Sequence, residues 1–383
     1  MNRFSVFITI VLTIYALLNL TAFLWLRFMF RPTGWLWVVF ILFFTLVITM
    51  QPLGHYLMIK HPGRLSVIVM QTGFVWLGYL FYLFILGILT LCISYMVKYA
   101  VNRGLMVLPE KGLSGGFPIA GSIILGILTC LMILGVYIAK NPVIRSYTIS
   151  VPGTIELSKP LTVVHLTDTH LNELKTVKWW ESIVDRTNAL KPDVIVLTGD
   201  IVDAEPYRLS RFKPGLSRLN ARYGVFAVTG NHEFYINTQR FIKMFQECGI
   251  TVLRNETHCI PGVACLVGID DPTGLRMAGK PKPDFEAIHT MLPDHLPVIV
   301  LSHQPVYLDD IKRMNANLML SGHTHNGQIW PFGIFTRMVF RHSYGYRRFG
   351  DLHLYVGAGT GIWGPPFRIG TRSEIAVLQI TSE

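Results

Sequence analysis

Residues 161–170 read LTVVHLTDTH, an apolar β-rich run, Leu161–Leu166, that stops at the polar cluster Thr167–His170. The same event recurs four times. Asp193–Leu197 (DVIVL) runs into Thr198–Asp200 (TGD), and Tyr223–Val228 (YGVFAV) into Thr229–Glu233 (TGNHE). Pro297–Leu301 (PVIVL) runs into Ser302–Gln304 (SHQ), and Asn317–Leu320 (NLML) into Ser321–His325 (SGHTH). Near-continuous Val/Ile/Leu runs suit strands buried on both faces. Between the first two, Val177–Leu190 carries helical spacing through Trp180, Ile183, Val184, Thr187 and Leu190. Phe241–Cys248 and Phe285–Met291 also read as helices. The chain from about residue 160 is therefore expected to be an α/β domain with its site on loops past the strand ends.

Those loops hold Asp168, His170, Asp200, Asn231, His303, His323 and His325, in that order. Carboxylates, imidazoles and one amide make a mixed oxygen and nitrogen set, suited to Mn²⁺, Fe or Zn²⁺. The absence of thiolates argues against a structural zinc site of the cysteine type. Seven ligands exceed what one metal takes. They fit two divalent metals a few Å apart, with Asp200 able to bridge through its two oxygens. Each fragment alone is weak. A Gly-Asp after a strand is usually a turn, Asn231 alone would be a turn residue, and His303 alone a hydrogen-bonded core histidine. Five fragments in one order, each directly after an apolar run, are a different matter.

Outward from this core, the chain divides. Of its 383 residues, 51% are hydrophobic and 15% charged, too apolar for one ordinary soluble domain and incompatible with disorder. Residues 1–139 hold only eight Lys/Arg and one acid, Glu110. Four stretches lack Asp, Glu, Lys and Arg: Phe4–Leu26, Pro32–Ile59, Leu65–Val97 and Gly112–Ala139. Each reaches the roughly 20 residues that cross a bilayer core as a helix. The expected division is a membrane domain over 1–145 and a globular domain over 146–383. Most of the +11 net charge flanks the apolar stretches, where it reads as topology signal and lipid contact. No basic run or motif points to nucleic acid.

Four crossings put both termini on one side. Arg3, Lys60, Arg64, Lys140 and Arg145 balance Arg27, Arg31, Lys98, Arg103 and Lys111, so counting basic residues leaves the orientation undecided. The short basic tail Met1–Arg3 tips the expectation towards a cytoplasmic globular domain at the cell (inner) membrane. Gly73, Gly78 and Gly87 read as helix-packing positions, and the membrane part as an anchor. Cys92 and Cys130 lie in apolar stretches, and Cys248, Cys259 and Cys265 are an odd set without CxxC. Buried free thiols are the expectation, with a slight lean to a reducing compartment.

TDTH, TGD, GNHE, SHQ and SGHTHNGQ resemble the signature of the calcineurin-like metallophosphoesterases, over about residues 160–380. The resemblance implies a four-layer α/β/β/α sandwich, here preceded by four transmembrane helices, and a dinuclear metal centre. Carried over by position, Asp168, His170 and His325 would hold one metal, Asn231, His303 and His323 the other, with Asp200 between them. His232 would face the substrate phosphate as hydrogen-bond donor or general acid. SGHTHNGQIWP, VGIDDPT and VGAGTGIWGPPFRIG further resemble the membrane-anchored branch of that family. Asn326 stands where that branch commonly has Gly, though Asn also tolerates left-handed φ. Some relatives in the branch act on UDP-2,3-diacylglucosamine in lipid A synthesis, and others are general phosphodiesterases. The resemblance thus implies a hydrolase of phosphodiester or pyrophosphate bonds, working through a metal-bridging hydroxide, with a lipid-linked substrate as one candidate. A metal-binding sensor or pseudo-enzyme on a membrane anchor is the alternative, which a degraded ligand set would favour. A regulated transporter would call for charged residues inside the spans.

Two further features stay open at this level. Ile329–Phe349 is rich in aromatics and arginines, including Trp330, Phe335, Arg337 and Arg341. It reads either as a partly packed surface loop or as a rim contacting lipid and anionic headgroups. Arg368, in the PPFRIG block, is a candidate phosphate contact, while Asp270 and Asp271 before Pro272 read equally as a turn.

Overall fold

The computed structural model describes residues 3–107, 116–152 and 159–382. Expectations resting on Met1, Asn2, Glu110, Lys111, Gly112 and the Arg3 side chain lie outside the described residues. The chain forms two compact units, Met1–Ile133 with Gly364–Pro366, and Leu134–Trp363 with Phe367–Glu383. The second begins ahead of the expected division at residue 146. Composition marks where charge returns, at Lys140, but the alternating stretch Val143–Val151 is already a strand of the second unit.

Helices α1 (Arg3–Phe30), α2 (Trp35–Lys60), α3 (Arg64–Asn102) and α4 (Pro118–Lys140) are long and apolar enough to cross a membrane. Within the first unit, Trp25, Phe44, Trp76, Leu80 and Leu83 make a small buried cluster. Phe44 meets Trp76 edge-on at 5.6 Å, and the Trp76 indole N–H donates to Asn19 Oδ1 at 3.1 Å. α2 and α3 approach closely because Gly54 lies against Met70 and Gly73 against Gln51, where a side chain would collide with backbone. Leu12, Leu42, Leu91 and Ile133 face outward, the surface a hydrocarbon solvent accepts.

The second unit opens with β1 (Val143–Val151), β2 (Leu161–Leu166), α5 (Val177–Ala189), β3 (Val194–Thr198), α6 (Lys213–Ser217), β4 (Val225–Val228), α7 (Asn231–Ile236), α8 (Thr238–Glu247) and β5 (Thr251–Val252). It continues through β6 (Glu256–Ile260), β7 (Ala264–Ile269), α9 (Pro272–Met277), α10 (Phe285–Thr290), β8 (Val298–Ser302), α11 (Leu308–Arg313) and β9 (Leu318–Ser321). It ends with α12 (Phe332–Val339), β10 (Gly345–Phe349), β11 (Leu352–Val356) and β12 (Glu374–Ser382). Two six-stranded sheets result, in the orders β1-β12-β2-β3-β4-β5 and β10-β11-β9-β8-β7-β6.

Period-two alternation explains why the strands are apolar throughout. Val164, Leu166, Ile195 and Leu197 face α5 and α8, where they meet Trp180, Phe241 and Phe245. Their neighbours Val163, Val194 and Val196 face the other sheet and meet Leu266, Ile299 and Leu318. On the far side, Val267, Val300 and Met319 pack on α10 and α11 through Phe285, Ile288, Leu308 and Ile311. The expected four layers, α/β/β/α, are therefore present, each strand feeding two cores.

One cysteine expectation is corrected. Cys259 and Cys265 are disulfide-bonded, because the antiparallel β6–β7 pairing sets them directly opposite each other. The lean to a reducing compartment loses that support. Cys248 is a buried free thiol, as expected.

Trp180, fully buried at the centre of the α5 layer, gives a test of this packing. Trp180→Ala is expected to cost about 3–5 kcal/mol, read as a lowered unfolding midpoint of the detergent-solubilised protein.

Candidate metal centre

The five loops predicted to carry chemistry converge. Asp168 and His170 follow β2, Asp200 follows β3, Asn231 and His232 open α7 after β4, His303 follows β8, and His323 and His325 follow β9. Both sheets thus deliver ligands past their strand ends, where open α/β sheets bind. The side chains form three overlapping groups: Asp168, His170 and His325; His170, Asp200 and His232; and Asp200, His303 and His323. Within each group, one ligand atom per residue lies within 4.8 Å of the others.

Backbone geometry makes this convergence possible. Asp168, His170, Asp200, His323 and His325 all have positive φ, between 48° and 70°. Non-glycine residues rarely adopt that region, and such strain concentrates at functional sites. Asn326 also takes it, at φ 51°, so Asn serves where Gly is common. Gly322 and Gly230 lack side chains for a different reason. A Cβ on Gly322 would overlap Thr167 Oγ1 and the Asp168 carboxylate, and one on Gly230 would overlap Asp200.

The imidazoles are oriented from behind. His170 Nδ1 donates to Asp203 Oδ1 at 2.7 Å, which turns Nε2 inward to 3.0 Å from His325 Nε2. His303 Nδ1 donates to the Thr198 carbonyl at 2.9 Å, which turns its Nε2 towards Asp200 Oδ2 and His323 Nδ1, each 3.1 Å away. Metal-binding histidines are typically fixed in this way through the other ring nitrogen. Burial, reinforced by the His303 charge, pushes His323 down to about 3. Burial, His170 and Arg368 hold His325 well below the usual histidine range. Both are thus neutral, the form that ligates metal.

Asp200 is central. Burial favours its neutral form, but the His303 charge and hydrogen bond outweigh this and hold it well below the usual carboxylate range. Its Oδ1 accepts the His232 backbone N–H at 3.0 Å. His232 Nδ1 donates to Asp203 at 2.8 Å, and its Nε2 lies 3.8 Å from Asp200 Oδ2. Burial opposes charge on His232, but the Asp203 hydrogen bond and the Asp200 charge overcome it and raise its pKa to about 9.

The donor set fits divalent cations. Oxygen and imidazole nitrogen dominate, and the buried Asn231 Oδ1 accepts no hydrogen bond among the described residues. A cation between the inward-facing His170 and His325 nitrogens would satisfy both at once.

Two residues beyond the predicted set hold the site. Asp203 joins His170 to His232, and its only sequence signal is its position three residues after Asp200. Glu233, the last residue of GNHE, accepts the backbone N–H groups of Asp200, Ile201, Val202 and Gly230 at 2.6–3.2 Å. Burial and the Asp200 charge raise its pKa to about 7.

The expectation that Arg368 contacts phosphate is corrected. Arg368 is 0% exposed, and its guanidinium donates to the carbonyls of His325, Ala358 and Gly361. It braces the His325 loop from within the unit. Asp271 caps α9 by accepting the Gly274 N–H at 2.9 Å, and Asp270 forms a two-pronged pair with Arg254, so the turn reading holds. Ile329–Phe349 is not a loop throughout. It contains α12 and β10, with Trp330, Phe335, Met338 and Val339 exposed.

Residues 161–327 match the family model described as calcineurin-like phosphoesterase. A transmembrane protein with metallophosphoesterase domain from Danio rerio is 30% identical over 354 residues, covering 88% of this chain and 78% of that protein. An uncharacterized metallophosphoesterase of Campylobacter jejuni is 32% identical over 245 residues, 63% of this chain and 64% of that protein. One from Helicobacter pylori is 32% identical over 227 residues, 59% of this chain and 61% of that protein. The chain therefore spans slightly less than two thirds of these two bacterial relatives.

The double contact of Asp203 yields a prediction. Asp203→Asn keeps the shape but removes the charge behind both imidazoles. Metal affinity or activity is expected to fall roughly 10–100-fold, as measured by metal titration and steady-state turnover. Unchanged values for both would remove Asp203 from the site.

Proposed function

The chain belongs to the calcineurin-like phosphoesterases, and from that premise we propose that it is a membrane-anchored, metal-dependent hydrolase of phosphodiester or pyrophosphate bonds. The observation that carries this reading is the position of Asp200, shared by two of the three donor groups and touching His303 and His232. We assign two divalent cations, Mn²⁺, Fe or Zn²⁺ by donor chemistry. Asp168, His170 and His325 would hold the first, Asn231, His303 and His323 the second, and Asp200 both. Such cations, when bound, offset the charge of a phosphate ester and lower the pKa of a bound water.

The chain's own residues do the rest. Asp203 fixes the His232 ring by accepting from Nδ1, so Nε2 is the nitrogen directed at the centre. The Asp203 hydrogen bond favours the charged form of that imidazole, and in that form its Nε2 proton would be available to the departing ester oxygen. Glu233 holds the TGD and GNHE loops together, so Asp200 and His232 keep their spacing. Buried Asp168 is braced by Thr167 Oγ1 and by the His323 backbone N–H. It serves as a ligand, and no protein nucleophile is needed.

A lipid-linked phosphate ester is the substrate class we favour. Its support is the exposed apolar set of α12, together with Arg337, Arg341, Arg347 and Arg348 of the same region, a combination suited to an interface with anionic headgroups. Phe340, at the end of α12, meets the His323 ring edge-on at 5.6 Å, which joins this rim to the ligand loop. The four membrane-length helices supply the anchor.

The first test is turnover of the purified full-length protein on a phosphate-ester panel containing lipid-linked diphosphates, with and without Mn²⁺. Asp200→Asn should nearly abolish hydrolysis while leaving the fold intact. Wild-type turnover by that variant at saturating metal would refute the central role of Asp200. His232→Ala should keep its metal and lose about 10²–10⁴ in turnover. The loss should be smaller for p-nitrophenol, a leaving group that needs little protonation. A variant stripped of metal would show that His232 is a ligand.

A further inference from the structure

Two aromatic rings flank His232 that the mechanism above does not use. Tyr235 lies three residues further along α7, its ring 5.2 Å from the imidazole and inclined at 57°. Trp363, from the loop after β11, meets the same imidazole edge-on at 6.1 Å. Tyr235 is 52% exposed and Trp363 57% exposed. Single exposed aromatics are ordinary on a protein surface. Two that converge on one partly buried imidazole beside a metal-ligand cluster are not.

The backbone beneath Trp363 is pinned although its ring is open. The Trp363 N–H donates to Gln328 Oε1 at 3.0 Å, and Gln328 Nε2 donates back to the Trp363 carbonyl at 2.8 Å. Lys175 Nζ donates to the neighbouring Ile362 carbonyl at 3.1 Å. Gln328 is buried and lies three residues after the ligand His325, and Lys175 lies five after the ligand His170. The backbone that carries the indole is thus registered to both loops, while Trp363 itself stays 57% exposed. An aromatic ring on a fixed backbone has only two side-chain torsions to lose on binding.

We propose that Tyr235 and Trp363 form an aromatic clamp on the His232 side of the metal centre that selects phosphate esters carrying a flat, π-faced group. The proposal rests on the phosphoester reading and names a specificity device within it. A nucleobase and a simple aryl ring share the required chemistry. An aliphatic ester lacks it, and would gain nothing from the rings. If the rings only shield His232 from water, they act on every substrate alike, and this difference makes the clamp testable.

The experiment uses the full-length protein in lipid nanodiscs loaded with Mn²⁺, and calorimetric binding of three probes: phenyl phosphate, UMP and methyl phosphate. The clamp predicts that at least one flat probe binds roughly tenfold or more tighter than methyl phosphate, the scale of base–aromatic stacking. Tyr235→Leu and Trp363→Leu should erase most of that margin, and Tyr235→Phe and Trp363→Phe should restore it. Tighter binding of UMP alone assigns a nucleobase, and tighter binding of both assigns any aryl ring. In turnover, the Leu variants should lose more kcat/KM on methyl p-nitrophenyl phosphate than on glycerophosphoethanolamine, chiefly through KM. Equal binding of all three probes to the wild type, or a margin untouched by the Leu variants, overturns the clamp. Because binding is read without turnover, failure of the hydrolase reading leaves a separate signature: a clamp that binds flat phosphates on a protein that cleaves none.

Discussion

Two carboxylates, Asp168 and Asp200, are buried beside one another at the strand ends, and much of the second unit exists to make that tolerable. A buried charge is costly unless paired and hydrogen-bonded. Burial, with the Asp200 charge, drives Asp168 towards its neutral form, and the His303 charge opposes that drive without cancelling it. Asp200 has stronger compensation from His303 and remains ionised. Oxygen and imidazole nitrogen atoms crowd to 3.0–3.4 Å across this site. Divalent cations are the natural counter-charge for such a set.

Rigidity around these groups comes from the cores on either side. Each central strand alternates its side chains between a helical layer and the opposing sheet. A slip of one residue would send every side chain to the wrong layer, so register is strongly fixed and the loop that ends each strand starts from a known point. Positive φ at Asp168, His170, Asp200, His323 and His325 then bends the chain sharply into the site. Such backbone strain persists only where surroundings over-determine it. Glu233 and Arg368 provide that support, the first gathering four backbone N–H groups and the second filling carbonyls behind His325.

What the sequence disclosed and what it hid follow from the range of each interaction. The seven candidate ligand positions stood out because each follows an apolar run directly, a local pattern. The strands β2, β3, β4, β8 and β9 lie within a residue or two of the positions their apolar runs suggested. Strand β1 was hidden because its partner, β12, lies more than 200 residues away, and its alternating half-exposed pattern resembles the juxtamembrane segment before it. The Cys259–Cys265 bond depends on hairpin register, which an odd cysteine count does not reveal. Arg368 was misread because an arginine near a phosphate site suggests phosphate contact. Only tertiary structure shows that it is buried, with its two terminal nitrogens donating to carbonyls. Asp203 carried a faint local signal, and its two-histidine contact needs the loops folded together.

The short helix α7 shows how three adjacent residues acquire three different roles. Successive residues on a helix point about 100° apart. Asn231 is buried, and its Oδ1 has no hydrogen-bond partner among the described residues. His232, one step on, turns towards the partly open side, where Asp203, Tyr235 and Trp363 surround its ring. Glu233, the next step, turns back into the interior and takes up the backbone N–H groups of the TGD loop. A strand would instead have sent Asn231 and Glu233 to one face and His232 to the opposite face. Beginning a helix at this point therefore sends the three side chains into three different surroundings by rotation alone.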